Sequence, residues 1–201
     1  MEKIQGNGIG PIIYLPANDT TIMGFTIRNS GEEEDTGKPG LYIKFACCNT
    51  LANNIFYNCW IGIEVEGNMS YNSWSNKIIG NTLIDNEKGI LLTKFSVANI
   101  VSGNTVTKSV EGIYLTAYSS NNTINENTVT NNDCGICLSH STGNTISGNI
   151  LTQNDYGISM SGTLSTRNII RYNVIANSEY GIQALYPSNS NIVYLNNDIA
   201  I

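Results

Sequence analysis

The chain has 201 residues, a formal net charge of −6 and only 13% charged residues. Proteins that bind nucleic acid need a basic face to neutralise phosphates, so this acidic composition excludes nucleic acid as a partner. No apolar run approaches the ~20 residues of a membrane-spanning helix, which predicts no membrane insertion. Apolar residues nevertheless make up 41% of the chain, and this fraction argues against disorder.

The first 48 residues predict short, irregular strands. The string PIIYL at residues 11–15 is typical of the last strand of a partial structural repeat that spans residues 12–19. Residues 20–48 predict one irregular repeat, because Ile22, Phe25 and Ile27 occupy the apolar positions that recur later. An acidic insertion at residues 31–40 interrupts this repeat and contains Glu32, Glu33, Glu34 and Asp35.

From residue 49 to residue 201 one cassette recurs in seven copies, and it accounts for many of the thirty asparagines. Each copy opens with Asn-x-(Ile/Leu/Val), at Asn49, Asn76, Asn99, Asn122, Asn144, Asn168 and Asn191. Five residues later stands a second asparagine, at Asn54, Asn81, Asn104, Asn127, Asn149, Asn173 and Asn196. Thirteen residues after the first asparagine, six copies carry a glycine followed by isoleucine, at Gly62, Gly89, Gly112, Gly135, Gly157 and Gly181.

Apolar residues within the cassette are spaced by two, which is the periodicity of a strand. Three short strands in about 23 residues predict an all-β fold, a right-handed parallel β-helix (solenoid) of about eight coils. We expect residues 1–201 to form a single domain, part of a longer protein, because an uncapped last coil exposes core and strand edge. Such an end also suggests end-to-end self-association.

Asparagine has two expected roles in this fold. It tolerates the left-handed backbone conformation of tight corners, and stacked amides can hydrogen-bond from coil to coil as a ladder. We predict the second asparagine column, Asn54 to Asn196, as the structural ladder. Glycine at the third corner is expected to meet the same backbone need.

The strings NNTINENTV, GNTISGNIL, GIYL and TIMGFTIRNSG resemble the right-handed β-helix repeats of the NosD-like group, also described as domains of carbohydrate-binding proteins and sugar hydrolases. The resemblance covers residues 12–201. It implies a secreted or cell-surface protein whose partner is a polysaccharide or glycan. It carries no ligand set or catalytic set onto positions of this chain.

Five cysteines are present, and Cys134-Gly-Ile-Cys137 forms a C-x-x-C string. A redox pair of the thioredoxin type needs a helix N-terminus and a zinc site needs about four ligands, and only His140 lies nearby. We therefore interpret these two residues as repeat positions that happen to be cysteine. The same interpretation applies to the remaining three, Cys47, Cys48 and Cys59.

An acidic edge lies two residues before the repeat glycines, where neighbouring coils carry Asp133, Asp155 and Glu179. Adjacent coils would separate the first two by about 5 Å, near the carboxyl spacing of retaining glycosidases. These acids are the candidate catalytic residues of a polysaccharide hydrolase or lyase. Two alternatives remain open, a Ca²⁺ site and a plain solvated edge, and no other cofactor or metal is expected.

Aromatic side chains recur beside this edge and in the variable loops, and flat rings along a groove can bind sugar faces. The candidate binding residues are Tyr156, Tyr180, Phe95, Tyr118 and Trp74. The alternative is that these rings only stabilise the solenoid. The leading functional hypothesis is a non-catalytic repeat domain that binds carbohydrate or serves a structural or adhesive role. The others are the hydrolase or lyase and a purely architectural solenoid without ligand.

Overall fold

The computed structural model describes residues 2–6, 10–31, 37–185 and 187–199, and throughout these ranges the chain winds as a parallel β-solenoid. Each coil contributes one strand to each of three sheets, which we number in the order in which a coil visits them. The predicted fold, with about eight coils, is confirmed. None of the described ranges contains a helix that could cross a membrane.

The first sheet has eight parallel strands, Thr21–Met23, Thr50–Ala52, Lys77–Ile79, Ile100–Ser102, Thr123–Asn125, Thr145–Ser147, Ile169–Arg171 and Ile192–Tyr194. The second has nine, Glu2–Gln5, Phe25–Arg28, Ile55–Tyr57, Thr82–Ile84, Thr105–Thr107, Thr128–Thr130, Ile150–Thr152, Val174–Ala176 and Asn197–Ile199. The third has eight, Ile13–Leu15, Pro39–Lys44, Ile61–Glu66, Lys88–Thr93, Glu111–Leu115, Cys134–Ser139, Tyr156–Ser161 and Tyr180–Ala184. A small parallel pair, Ser73–Trp74 and Ser96–Val97, links two loops. The acidic insertion residues 32–35 lie outside the described residues.

The core is a set of aliphatic columns that run along the solenoid axis. In the first sheet Leu51, Ile78 and Val101 stack in register, and each is fully buried. In the second sheet Phe56, Leu83 and Val106 do the same. Because every coil repeats this contact, burial is spread evenly along the axis instead of being concentrated in one centre.

The predicted ladder is confirmed. From Asn54 to Asn196, each side-chain Nδ2 donates to the Oδ1 of the next asparagine over 2.9–3.1 Å. The column from Asn49 to Asn191 forms a second ladder of the same kind. A shorter third set at the glycine corner includes Asn132 and Asn154, joined over 3.0 Å. Each Oδ1 also accepts a backbone N–H from the preceding coil, which satisfies the corner backbone that the strands leave unpaired.

The expectation that ladder asparagines adopt the left-handed conformation is wrong. The left-handed residue is the one immediately before each ladder asparagine, and its type varies. Before the predicted ladder these residues are Asn53, Gly80, Gly103, Glu126, Gly148, Tyr172 and Leu195, with φ between 52° and 67°. The ladder asparagines therefore serve through their amides, which hydrogen-bond forwards and backwards, whereas other asparagines, such as Asn53 and Asn121, do occupy the left-handed turn positions.

The expected role of the repeat glycines is also wrong. Gly62, Gly89, Gly112, Gly135 and Gly157 are absent from the left-handed region. Each instead lies so close to the next coil that an added Cβ would meet the next repeat glycine's carbonyl oxygen at 2.4–2.7 Å. Close backbone approach, and not backbone conformation, requires glycine here.

Candidate functional site

On the outer face of the third sheet, polar and aromatic side chains from adjacent coils contact one another. In the strand Ile61–Glu66, Ile63 and Val65 point into the core, and the alternation of a strand turns Glu64 and Glu66 outwards. The register places Glu64 beside Tyr42 and Glu66 beside Lys44 of the preceding coil.

These residues, with Lys94 from the next coil, form what we call the tyrosine–carboxylate cluster (Tyr42, Lys44, Glu64, Glu66 and Lys94). The Tyr42 hydroxyl donates a hydrogen bond to Glu66 Oε2. Both lysines pair with Glu66, Lys94 Nζ over 3.3 Å and Lys44 Nζ over 3.8 Å. Lys44 Nζ also lies 5.4 Å from the centre of the Tyr42 ring, a cation–π contact.

Glu64 is different, because the residue is only 9% exposed and forms no ion pair with Lys44 or Lys94, both of which pair with Glu66. Burial and the neighbouring charge of Glu66 raise the pKa of Glu64 to about 7, against the smaller opposing effect of the two lysines. Burial and the hydrogen bond to Glu66 raise the pKa of Tyr42. The cluster therefore presents one carboxyl that is about half protonated near neutral pH beside one that is paired with two cations.

Beside the cluster, Tyr14 and Tyr42 pack with ring centres 5.8 Å apart. These rings, with Pro11 and Lys44, line an open cleft of about 480 Å³. The cleft extends the polar cluster into a shallow, partly aromatic surface.

The predicted acidic edge exists, and its three members lie in adjacent coils. The amide of Tyr156 donates to the Asp133 carbonyl over 2.8 Å, and that of Tyr180 donates to the Asp155 carbonyl over 2.9 Å. The side chains of Asp133, Asp155 and Glu179 are all exposed. Within the described ranges, no three His, Cys, Asp or Glu side chains converge as a metal site. A catalytic or Ca²⁺-binding role of these acids stays a prediction.

The interpretation of Cys134 and Cys137 as unrelated repeat positions is wrong, because the two form a disulfide. Their outward positions are brought together at Gly135, which is omitted from the pairing register between adjacent strands. The Cα atoms of the two cysteines are consequently only 6.2 Å apart. Cys47, Cys48 and Cys59 are free thiols.

Four of the five predicted aromatic residues form two stacked pairs. Tyr156 and Tyr180 are aligned by the register of the third sheet, with ring centres 5.1 Å apart and planes within 8°. Phe95 and Tyr118, in successive loops, stack over 5.1 Å at 13°. Their role in binding stays a prediction.

Trp74, the fifth, is 47% exposed and lies in what we call the loop pocket, a cleft of about 330 Å³. The lining residues are Asn18, Phe45, Cys47, Met69, Ser70, Tyr71, Asn72 and Trp74. Trp74 was predicted as a binding residue from its position in a variable loop, and its proximity to Phe45 and Cys47 appears only in the structure.

The tyrosine–carboxylate cluster was missed by the sequence argument, which considered acids only at the position before glycine. The signal was available in the outward positions of IGIEVE, where two glutamates flank a core valine. The lysine partners come from other coils, and only the register brings them there.

Three parallel sheets, stacked asparagine ladders and an outward-facing polar surface define a parallel β-helix protein. A family model described as periplasmic copper-binding protein (NosD) matches residues 3–163 and again residues 71–199. The chain belongs to this family, and the periplasmic description confirms the expected export from the cytoplasm. Comparison with curated protein sequences found no match.

Solved structures share the fold at low sequence identity. The periplasmic alginate epimerase AlgG is 20% identical with a TM-score of 0.78, over 92% of this chain and 47% of its own. The complex of XylC with xylose is 13% identical with a TM-score of 0.71, over 95% of this chain and 37% of its own. An alginate lyase from Paenibacillus sp. str. FPU-7 is 11% identical with a TM-score of 0.54, covering 93% and 87%. The chain spans about half the length of AlgG.

Proposed function

We propose that this chain is a carbohydrate-binding repeat domain of an exported protein, without a catalytic role, and that the glycan lies along the outer face of the third sheet. The observation that carries the proposal is the parallel stack of Tyr156 and Tyr180, whose rings differ by only 8°. The facing sides of the two rings cover each other, so the apolar surface open to a sugar is the row of aligned ring edges together with the 44% exposed Tyr180, while a polar rim orients the hydroxyls.

The neighbouring residues supply such a rim. Asp133, Asp155 and Glu179 are exposed at the adjoining corner, and Ser159 and Gln183 occupy successive outward positions of the same two strands. Adjacent coils are about 4.8 Å apart, so aromatic and polar groups recur at a regular spacing along a linear ligand. Structural neighbours that act on alginate or bind xylose support a glycan as the ligand.

The test is calorimetric titration of the purified chain with two probes, alginate oligosaccharides and xylo-oligosaccharides. We expect the wild type to bind at least one of them. In the double variant Tyr156→Ala/Tyr180→Ala, binding should weaken by at least about tenfold, or about 1.4 kcal/mol, because the ring surface is lost.

Tyr172→Ala is the matched control, since Tyr172 is a 55% exposed tyrosine that makes an edge-to-face contact with Tyr194 away from the third sheet. This variant should bind like the wild type. Equal affinities of the double variant and the wild type would refute the proposal that the glycan lies along the outer face of the third sheet. Failure of the wild type to bind either probe would count against carbohydrate binding itself.

A further inference from the structure

The loop pocket brings together three aromatic side chains that the proposed glycan face does not use. Phe45 comes from one coil, whereas Tyr71 and Trp74 come from the loop of the next coil. The ring centres of Phe45 and Tyr71 are 6.4 Å apart and their planes are tilted by 40°, so the two rings are not stacked face to face. Tyr71 is 66% exposed and Trp74 is 47% exposed, and their ring surface is therefore open to a ligand.

The rest of the pocket wall includes polar but uncharged side chains. Asn18, Ser70 and Asn72 contribute two amides and a hydroxyl. The Oδ1 atom of Asn18 accepts the Cys47 N–H over 2.8 Å, which fixes the orientation of this amide and leaves its Nδ2 as a donor. Among the described residues that line the pocket, none carries a formal charge. The pocket therefore offers rings and hydrogen-bonding groups, and it offers no ion-pair partner to a charged ligand.

Hydrogen bonds hold the loop that carries Tyr71 in place. The Oδ1 of Asn68 accepts the backbone N–H of Tyr71 over 2.7 Å, and the Asn68 N–H donates to the Tyr71 carbonyl over 2.8 Å. The buried hydroxyl of Ser73 donates to the Glu66 carbonyl over 2.6 Å and accepts the Ala46 N–H over 3.2 Å, so it ties the loop to the preceding coil. Because the pocket is formed in the free protein, a ligand pays little for ordering the loop.

A neutral sugar ring has the chemistry that these walls recognise. Its C–H face packs on an aromatic ring, and its hydroxyl groups hydrogen-bond to amide and hydroxyl side chains. An alkyl chain would instead remove water from the asparagines and the serine without replacing the lost hydrogen bonds, which is costly. A uronate residue would bring a carboxylate to a surface that has no cation for it. The pocket volume of about 330 Å³ lies near the lower end of the ~300–1,000 Å³ range of small-molecule sites, which fits a short ligand.

We propose that the loop pocket is a second carbohydrate site, in which an uncharged sugar residue packs against the three rings. The inference rests on carbohydrate as the ligand class proposed above, but not on the location of that ligand on the third sheet. Five strand spacings of the third sheet separate the two sites, from Pro39–Lys44 to Tyr156–Ser161, or roughly 24 Å. Substitutions at one site therefore leave the other site intact.

The test is a fluorescence titration of the full chain carrying Trp60→Phe, in which Trp74 is the only tryptophan. The uncharged probes are xylotriose and cellotriose, the anionic probe is an alginate trisaccharide, and the apolar probe is n-hexanol. We expect at least one uncharged trisaccharide to change the Trp74 emission in a saturable manner. The alginate trisaccharide should bind this pocket at least about tenfold more weakly, because no cation lines it. Tyr71→Ala should weaken binding of the uncharged probe by at least about tenfold, because ring surface is lost.

Tyr57→Ala is the matched control, because Tyr57 is an exposed tyrosine of the second sheet outside the pocket. This variant should keep the parent affinity in the Trp74 titration. Tyr156→Ala/Tyr180→Ala should keep it as well, since the double variant alters only the other site. Circular dichroism melting verifies that every variant is folded.

Unchanged affinity for the uncharged probe in Tyr71→Ala would overturn the proposal. Equally tight binding of the alginate trisaccharide or of n-hexanol would do the same, because the pocket would then not select a neutral sugar. Saccharide binding that calorimetry detects without any change in Trp74 emission would reject the loop pocket and leave the proposed glycan face standing. Absence of saccharide binding in both assays would remove both sites.

Discussion

Replacing Asn127 by alanine tests how much one amide of the predicted ladder contributes to stability. The Asn127 side chain is fully buried and takes part in five hydrogen bonds. Its Oδ1 accepts from the backbone N and the Nδ2 of Asn104 over 3.0 and 2.9 Å. Its Nδ2 donates to Val101 O, Asn125 O and Asn149 Oδ1 over 2.9–3.0 Å.

The magnitude follows from what the substitution leaves unpaired. In Asn127→Ala the backbone N–H of Asn104 becomes a buried donor without its acceptor, at a cost of about 1–3 kcal/mol. The remaining bonds lost from the corner add about 1–2 kcal/mol in total, since their donors and acceptors keep other partners. We therefore expect a loss of about 2–5 kcal/mol in the free energy of unfolding, which lowers the melting temperature of a chain of this length by roughly 10 °C.

Circular dichroism melting and urea unfolding of the same preparations measure this loss. Asn121→Ala is the matched control, because Asn121 is exposed and directly precedes a ladder residue without belonging to a ladder. Its φ of 55° costs alanine about 1 kcal/mol, and no larger loss is expected. Equal melting temperatures of the two variants would refute the argument that buried amide ladders hold the coils together.

Two further substitutions test other features of the fold. Glu64→Gln should remove a pH dependence of the free energy of unfolding. This dependence arises because the folded protein retains the Glu64 proton up to about pH 7, whereas the unfolded chain releases it near pH ~4.3. The wild type should therefore lose up to about 3 kcal/mol relative to the variant as the pH rises through this window, and a difference independent of pH in urea unfolding would contradict the burial of Glu64. Gly112→Ala should cost about 1–3 kcal/mol, because the new Cβ would lie 2.6 Å from the Gly135 carbonyl oxygen. Gly10, whose Cβ would meet nothing within 4 Å, is its control, and similar urea midpoints for Gly112→Ala and Gly10→Ala would show that the coils can separate.

The fold was predictable because the same requirement repeats in every coil. Period-two apolar columns specify strands, and a cassette of constant length fixes the register, so Ile124 stacks on Val101 as the alignment implies. The physical role of each column was harder to predict. Asn121 and Asn122 are adjacent asparagines with different roles. Only the structure shows that Asn121 has the left-handed conformation that turns the chain, whereas the side chain of Asn122 hydrogen-bonds to the next coil.

The candidate sites were less predictable, since they depend on contacts between residues that obey no repeat. Tyr42, Glu66 and Lys94 meet because the register of the third sheet brings three successive coils together at these positions. The disulfide spans Gly135, which is left out of the pairing register as the other repeat glycines are, and it forms because one coil carries cysteine on both sides of that glycine. Both sites depend on residues that differ from coil to coil, and the repeating columns do not specify those residues.

The ladders have a direction, because the Nδ2 of each asparagine donates to the Oδ1 of the asparagine in the following coil, whereas its own Oδ1 accepts from the preceding coil. Every interior coil therefore offers the same hydrogen-bonding surface above and the complementary surface below. A whole coil can be deleted or duplicated between two equivalent asparagines without leaving an amide unmatched, whereas a partial coil cannot. The solenoid can therefore lengthen or shorten by whole coils of about 4.8 Å each. Side chains on the other coils keep their local surroundings when it does.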